Sequence, residues 1–486
     1  MCRAGEIVKA YELAKADLEN DPSNVWAQRG LGWAIYYLMK EDVENRKSQE
    51  FFEHLKELTE LDLLNVESDS MIFESVLWKL AEHLKYIPDE NTEVIDRFFT
   101  LFGKYHFGPS KAYSYLLKSV LGFENWSRLV TFFEWWNMDN LLPEDYQPFQ
   151  LENGRKIMSL AEQAYIAYSK ALLRLGDKQK IQAFLPKMEQ IVVDYPEMMY
   201  PGYFCGKLML AMGADKAETV DMVIPFVRNK QSEFWVWQLM GEVYKDEKDI
   251  QLACLLCASH CRTQETFLGK VRMRLISLFV SRGDYPRAKF HLDKITRCYV
   301  QQGWRLPVEV QHWMKESWVQ STVADSSDGL DYKKYINAIL SHGANESVAI
   351  VTYVDHIRKR VFMVYGKEQR TSVRYVDLKV PAKVGLLVNL KWTQDSDNIN
   401  VVGAEIVDSS ALKGISHIRL LEGKVERHSR NPFAFVKKDN ISCYIRPEEV
   451  QRHQLEDGDS VSVLAVWDFN KKKAMWNWSC VTLNKR

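Results

Sequence analysis

The spacing of hydrophobic residues divides the chain into a helical region followed by a β region. From residue 1 to about 345, apolar positions recur at helical spacing, with Gly and Pro at intervals. After Gly343 the period changes to two and β-branched residues dominate. Between them, "STVADSSDGLD" (321–331) is small, polar and acidic, which is typical of a linker, and "YKKYINAILSHG" predicts a short helix. We therefore expect a multidomain α plus β protein.

Two segments of the helical region share one spacing of a large, a small and an aromatic residue, which lets two helices pack closely. They are Trp26, Gly30 and Trp33 in the first segment and Trp237, Gly241 and Tyr244 in the second. This spacing resembles the tetratricopeptide (TPR) repeat. The resemblance implies stacked helical hairpins with a concave groove that binds a protein or peptide partner.

Turn-like sequences at Gly176, Gly213, Asp249 and Gly283 predict further junctions between helices. Their separations of 37, 36 and 34 residues match a repeat of about 34 residues. We expect a TPR-like superhelical solenoid over 1–320. Residues 45–150 are less regular and predict divergent hairpins.

Four clustered aromatic residues in that less regular stretch have two interpretations. They either fill the core, which we favour, or line a groove for a partner. They are Phe132, Phe133, Trp135 and Trp136.

The β region contains two similar blocks. Val351 aligns with Val425, Gly385 with Gly458 and Val388 with Val461, at offsets of 74, 73 and 73 residues. Each block predicts five short strands, which suggests a small closed barrel without exposed edges. We expect a linker and short helix at 321–345, a first OB-like barrel at 346–412 and a second barrel at 413–486.

The second block carries a set of short motifs in a fixed order. They are "GKV" (423–425), "FAFV" (433–436), "CYIRP" (443–447) and "LEDGDSV" before the fourth strand. Over about 65 residues this order resembles the cold-shock type of OB-fold, whose two nucleic-acid-binding motifs correspond to "FAFV" and "CYIRP". The resemblance implies binding of single-stranded RNA or DNA.

Alternation of residue types along the predicted strands supports the same function independently of the resemblance to the cold-shock family. Small and aliphatic residues would face the barrel interior, while rings and cations would share its outer surface. Bases stack on such rings and cations follow the phosphates. The candidate nucleic-acid-binding residues are Phe433, Phe435, Tyr444, Arg446, Lys424, Arg427, Lys437 and Lys438.

Some positions depart from the cold-shock pattern. Arg427 and His428 replace strand-one aromatics, and Pro432 and Ala434 replace glycines. An alternative is that the phenylalanines are buried beneath a neighbouring element, so that the barrel is structural or docks a protein.

The first block looks like a degenerate copy of the second. By alignment it has Val364 and Val373 where the second block has Phe435 and Tyr444. We therefore do not expect it to bind nucleic acid on its own.

Charge is distributed unevenly along the chain. The whole sequence has 64 basic and 65 acidic residues, yet residues 348–486 contain 23 basic and 16 acidic ones. The basic excess therefore lies in the β region, where a polyanion would bind.

The cysteines predict a reducing, cytoplasmic location, because the eight of them show no regular spacing. The N-terminal "MCRAGEIVKAYE" has charges where a signal peptide would be apolar, and we expect neither export nor a membrane span.

In "CLLCASHC" (254–261) a zinc site is one possibility. The favoured interpretation is a helix whose cysteines face the core.

The sequence contains no phosphate-binding loop, zincin helix, nucleophile elbow or dinucleotide fingerprint. We therefore expect a non-enzymatic adaptor without cofactor or metal, whose solenoid binds a protein and whose tail binds single-stranded nucleic acid. The overall plan resembles bacterial TPR–OB proteins, some of which are associated with mobile-element or defence loci. The alternative is a purely protein-binding scaffold of such a bacterial mobile-element or defence system, with structural OB barrels.

Overall fold

The computed structural model describes residues 5–378, 380–395, 398–428, 431–470 and 474–486. The chain divides into two compact units, Met1–Phe226 and Val227–Arg486. The division falls inside the helical region and not at the predicted linker.

The first unit is built from helices and one short β-hairpin. Its helices are α1 (Ile7–Asn20), α2 (Val25–Glu44), α3 (Ser48–Thr59), α4 (Ser70–Leu84), α5 (Thr92–Phe102), α6 (Lys111–Val120), α7 (Leu129–Trp136), α8 (Leu160–Leu175), α9 (Lys178–Asp194) and α10 (Pro201–Met212), with α11 (Lys216–Asn229) crossing the division. Strands β1 (Phe149–Gln150) and β2 (Lys156–Ile157) pair antiparallel between α7 and α8.

Capping residues explain where several of these helices begin and end. The side chain of Asn24 accepts hydrogen bonds from two backbone N–H groups of α2, and Asp177 does the same for α9. Gly176 and Gly213 end α8 and α10 with φ of 70° and 76°, a conformation that favours glycine. The helices of this stretch therefore turn back at the predicted glycines.

The clustered aromatic residues lie in the core of the first unit. Phe132, Phe133 and Trp136 are fully buried. Trp135 is partly buried, and its indole N–H donates to the carbonyl of Tyr105 at 2.8 Å. The core interpretation of these residues is confirmed.

The two TPR-like segments differ in how their residues pack. Trp237 is buried, and a Cβ on Gly241 would lie 3.3 Å from Leu255, as close helix packing requires. Trp26, however, is 73% exposed and a Cβ on Gly30 would meet nothing within 4 Å. The close contact of α2 is made by Gly32, two residues later, so the predicted packing face was wrong there.

The second unit begins with helices and continues into the two β modules. The helices are α12 (Phe234–Val243), α13 (Lys248–His260), α14 (Gly269–Ser281), α15 (Tyr285–Gln302), α16 (Val308–Trp313), α17 (Ser317–Ser321) and α18 (Tyr332–Leu340). The turns at 244–247 and 282–284 join α12 to α13 and α14 to α15, next to the predicted junctions at Asp249 and Gly283.

The predicted linker is a loop that packs against α15 through one arginine and a backbone hydrogen bond. Arg287 of α15 donates through Nε to the carbonyl of Ser327 at 2.9 Å and ion-pairs with Asp325 at 3.2 Å. The backbone N–H of Asp325 also donates to the carbonyl of Pro286 at 3.0 Å. The loop therefore packs against α15 before the chain enters α18.

The first β module is a five-stranded antiparallel sheet in the order β5-β4-β3-β6-β7. Its strands are β3 (Asn345–Asp355), β4 (Arg360–Gly366), β5 (Gln369–Arg374), β6 (Leu387–Asp395) and β7 (Asn398–Ile406). Within the described residues, β5 and β7 are unpaired edges, where we predicted a closed barrel. The short helix α19 (Tyr375–Leu378) contacts both edge strands, so it occupies the gap that their pairing would close.

The second β module is a closed barrel in the order β10-β12-β11-β8-β9. Its strands are β8 (Ile418–Glu426), β9 (Ala434–Lys438), β10 (Ile441–Ile445), β11 (Ser460–Asn470) and β12 (Met475–Lys485), with helix α20 (Pro447–Arg452) after β10. The parallel pair β10–β12 completes the circle, and the other pairs are antiparallel.

Matching hydrogen bonds relate the two modules. In the first, the N–H of Gly385 donates to the carbonyl of Val351 at 2.9 Å; in the second, Gly458 donates to Val425 at 2.8 Å. Both glycines have positive φ, 85° and 83°. The residues that the sequence alignment matched between the two blocks therefore make the same hydrogen bond in each module.

A shared hydrophobic cluster joins the two modules within the second unit. Ile350, Val364 and Leu387 of the first module pack with Ile418 and Val466 of the second. The Nε2–H of His417 also donates to the carbonyl of Val348 at 3.0 Å. The modules are therefore in direct contact through buried side chains.

Candidate nucleic-acid interface

Strands β9 and β10 form a tight hairpin that places alternate residues on opposite faces. Lys438 pairs with Ile441 across a two-residue turn, in which Asp439 adopts a φ of 52°, a region that Asp tolerates. The inward residues are fully buried in the barrel core. They are Ala434, Val436, Cys443 and Ile445.

Three aromatic rings cluster on the outward face of this hairpin. The ring centroid of Phe433 lies 5.7 Å from that of Phe435 and 5.6 Å from that of Tyr444, and the other two are 5.8 Å apart. Phe435 and Tyr444 are direct partners in the ladder. All three side chains are partly exposed. We call Phe433, Phe435 and Tyr444 the ring platform.

Cationic side chains lie on β8 and β9 and directly after β10, the strands that carry or adjoin the ring platform. Lys424, Lys438 and Arg446 are exposed to solvent. The Nζ of Lys437 lies 2.7 Å from Glu426, in an ion pair whose two side chains are both more than half exposed. Such a pair contributes about 0–1 kcal/mol and is easily exchanged for a phosphate.

One predicted cation has a structural role. Nη1 of Arg427 donates to the carbonyl of Leu455 at 2.7 Å, and its backbone N–H donates to Asp457 at 2.8 Å. Arg427 therefore fastens the end of β8 to the loop before β11. The guanidinium of Arg427 is thus engaged by a backbone carbonyl of the same barrel, which gives this side chain a structural contact in place of a free charge.

Two acidic residues that the sequence analysis did not single out lie beside the platform. Glu426 is opposite Phe435 in the β8–β9 ladder. Burial and then the Glu448 carboxylate raise the pKa of Tyr444, while Arg446 lowers it. The phenol therefore remains neutral at physiological pH, which suits stacking.

The ladder register corrects the alignment of the first module with this platform. Val351 pairs with Met363, and its equivalent Val425 pairs with Val436. One step along, Phe362 therefore corresponds to Phe435. The assignment of Val364 to that position was wrong, because the two blocks differ in length between strands and only the hydrogen-bonded register fixes the match.

The residue of the first module that is equivalent to Tyr444 also differs from the one that the alignment assigned. Phe362 pairs with Ser372, as Phe435 pairs with Tyr444. Ser372 therefore replaces the tyrosine, and Val373 is a core residue of the first module.

The cysteine-rich segment lies on α13. Cys254 is fully buried in the core. The ring of His260 stacks on Tyr332, and its Nε2 lies 2.8 Å from Asp328. Over the residues that the structure describes, no cluster of three or more His, Cys, Asp or Glu side chains is arranged to hold a metal ion.

None of the described helices has the length and apolar character needed to cross a bilayer.

Two segments of the chain match known families. Residues 419–483 match the S1/CSD-like domain 2 of the TOTE conflict systems. Residues 199–338 match a domain of unknown function, DUF7017, whose span includes the loop before α18. No curated protein matches the chain.

The first of these matches covers the barrel from β8 to β12. The C-terminal module is therefore OB/cold-shock-like, as predicted. The helical region fits a solenoid of repeats, but no tetratricopeptide family matches it.

Proposed function

We propose that the chain is a non-enzymatic adaptor whose S1/CSD-like module binds single-stranded RNA or DNA on the ring platform. The observation that carries this proposal is the outward position of three adjacent rings above a fully buried core. Rings that served only the core would point inward with Val436 and Cys443. Partly exposed rings offer faces on which successive bases stack, at about 1–3 kcal/mol per base.

The cations beside the rings supply the second half of the interaction. Lys424, Lys438 and Arg446 are exposed, and Lys437 can exchange Glu426 for a phosphate. Because stacking on ring faces does not read base edges, we expect little sequence preference. Either sugar type fits this chemistry.

Fluorescence anisotropy with the full chain tests this proposal. Labelled oligo(dT) and oligo(U) of about 12 nucleotides are titrated at about 50 and about 200 mM salt. We expect Phe433→Ala with Phe435→Ala to weaken binding by about tenfold or more, since two stacking faces are removed. Neutralising about three phosphates predicts a further loss of about tenfold at the higher salt.

Leu420→Ala is the matched control, because Leu420 is an exposed apolar residue of the same barrel. It should leave affinity unchanged, and circular dichroism should show all variants folded. Absence of binding at low salt, or equal binding by the double variant, would favour the rival scaffold function with a structural barrel.

We further propose that the first unit docks a partner protein, because it contains an exposed apolar groove of about 580 Å³. The ring of Trp78 lies 4.8 Å from that of Tyr115, and the β1–β2 hairpin adds exposed Phe149 and Ile157. Exposed apolar residues that cluster in this way are typical of an interaction surface.

The charges around this groove indicate what the partner carries. Lys111 and Lys118 line it, and Lys85 lies over the ring of Tyr115. Of the two lining acids, Glu144 and Asp145, the second already accepts a hydrogen bond from Ser114 Oγ at 2.6 Å. The groove therefore fits a partner segment with apolar anchors flanked by acidic residues.

The name of the matching family supports a biological setting for this adaptor. Residues 419–483 match a domain of the TOTE conflict systems. We place the chain in a bacterial mobile-element or defence system, where it would connect a nucleic acid to a protein without a catalytic step of its own.

A further inference from the structure

The first β module presents its own pair of outward rings. Tyr353 and Phe362 face each other in the β3–β4 ladder, with ring centroids 5.7 Å apart. Tyr353 is 56% exposed, although a ring of that size gains free energy from burial. Phe362 occupies the position equivalent to Phe435 of the ring platform. The first module therefore keeps a surface for stacking.

Basic side chains follow these rings along the same two strands. The turn between β3 and β4 carries Arg358, whose side chain is 80% exposed, and Lys359, which is also exposed. Asp355 approaches Arg358 only to 4.0 Å. Arg360, at the position equivalent to Phe433, donates to the carbonyl of Ser372 at 2.7 Å. This end of the sheet therefore carries an excess of positive charge.

The second module supplies a wall beside the rings. Nη1 of Arg370 in β5 lies 3.1 Å from Asp468 in β11. The same guanidinium lies over two rings of the β11–β12 pair, 5.5 Å from the centroid of Phe469 and 5.2 Å from that of Trp476. The position of Arg370 thus depends on the contact between the two modules.

Some of these residues line a cleft of about 930 Å³ at the module junction, and Arg358 and Lys359 lie in the turn outside its lining. Its lining includes Tyr353, Phe362, Arg360, Arg370 and Asp468. This volume is at the upper end of the usual range for ligand pockets, about 300–1,000 Å³. We call it the junction cleft.

We propose that the junction cleft is a second binding site for single-stranded nucleic acid. A base stacks on Tyr353 and Phe362, and adjoining phosphates contact Arg358 and Lys359. This proposal rests on the function proposed for the second module and extends it to the first. An acidic peptide could satisfy the cations, but the paired ring faces and the flanking positive charge together match bases joined by phosphates.

Photocrosslinking tests this site with the full chain. Oligo(U) of about 12 nucleotides containing 4-thiouridine is bound at low salt and irradiated, and crosslinked peptides are mapped by mass spectrometry. We expect crosslinks in both 345–375 and 431–446. In parallel anisotropy titrations, Tyr353→Ala with Phe362→Ala in the Phe433→Ala, Phe435→Ala background should weaken the remaining binding by about tenfold.

Ile357→Ala is the control, because Ile357 is a fully exposed apolar residue of the same turn. Phe362→Leu with Tyr353→Leu serves as a second variant that keeps apolar volume while removing ring faces. Unchanged binding by both ring variants, with no crosslink in 345–375, would overturn the junction cleft and leave the ring platform intact.

The remaining outcomes separate the two proposals. Binding that the Phe433→Ala, Phe435→Ala variant leaves unchanged, and that is lost with Tyr353 and Phe362, supports the cleft and contradicts the platform. If the wild-type chain binds an acidic peptide in the cleft and binds no oligonucleotide, both the cleft proposal and the platform proposal are contradicted.

Discussion

Glu426 sets the electrostatic balance of the ring platform. It lies opposite Phe435 in the ladder and holds Lys437 at 2.7 Å. Because both partners are well exposed, the pair adds little to stability. Its main effect falls on an incoming phosphate, which must displace the carboxylate or be repelled by it.

Glu426→Gln should therefore tighten oligonucleotide binding. We expect about a threefold lower Kd at low salt, and a smaller gain at high salt because exposed charges are screened. Anisotropy titrations measure both values. The control is Glu422→Gln, an acid of the same strand that pairs with Arg486. Equal tightening by both variants would mean that net charge, not the position of Glu426, determines affinity.

The sequence predicted which side chains lie on the platform better than it predicted what they contact. Alternation alone placed Phe433, Phe435 and Tyr444 outward, since the period of a strand is fixed. It could not assign Arg427, because the carbonyl that accepts its hydrogen bond belongs to Leu455, 28 residues later in a loop.

At the scale of elements, two equivalent glycines show how the same turn has different surroundings in the two modules. Gly385 and Gly458 both adopt left-handed φ and donate to equivalent carbonyls. A Cβ on Gly458 would meet nothing within 4 Å, whereas one on Gly385 would lie 2.3 Å from Cγ2 of Thr482. Gly385 is therefore constrained by the other module as well as by its own turn.

We expect Gly385→Ala to destabilise the protein more than Gly458→Ala. The left-handed backbone costs alanine about 1–2 kcal/mol at either site, and overpacking against Thr482 adds about 1–3 kcal/mol at Gly385 alone. Urea unfolding followed by tryptophan fluorescence gives the order. Thr482→Ser removes Cγ2 and should recover most of the additional loss; equal effects of the two alanines would contradict the contact.

Sequence periodicity identified elements more reliably than their packing. The spacing of Trp237 and Gly241 correctly predicted close packing, while the same spacing at Trp26 and Gly30 did not. Both segments are helical, so periodicity was correct in each. The packing face depends on which helices lie beside α2, and this long-range information is absent from the local pattern.

The same limit explains the first module. Five strands were predicted and five are present in the described residues, yet β5 and β7 are unpaired edges there and the predicted closed barrel is not formed. Strand pairing at a barrel seam joins residues distant in sequence. The local pattern did not predict that α19 would contact both edges.

For the whole molecule, charge separates the two proposed binding functions. Residues 348–486 contain 23 basic and 16 acidic residues, which leaves 41 and 49 in the rest of the chain. A polyanion is thus attracted to the β modules, while the remainder repels it weakly. Partner binding in the first unit must then depend on apolar contact, with only local help from lysines.

A peptide library displayed on phage tests that partner site. The wild-type chain is the bait, and the Trp78→Ala, Phe149→Ala variant is used for counter-selection, because these side chains are 42% and 65% exposed and their loss should not unfold the unit. We expect enriched peptides with apolar anchors and acidic flanks that bind the variant about tenfold more weakly, since truncating interface anchors costs more than about 1 kcal/mol each. The variant should keep wild-type oligonucleotide affinity, which controls for folding. Peptides that are basic, or that bind wild type and variant equally, would contradict a docking groove at Trp78 and Phe149.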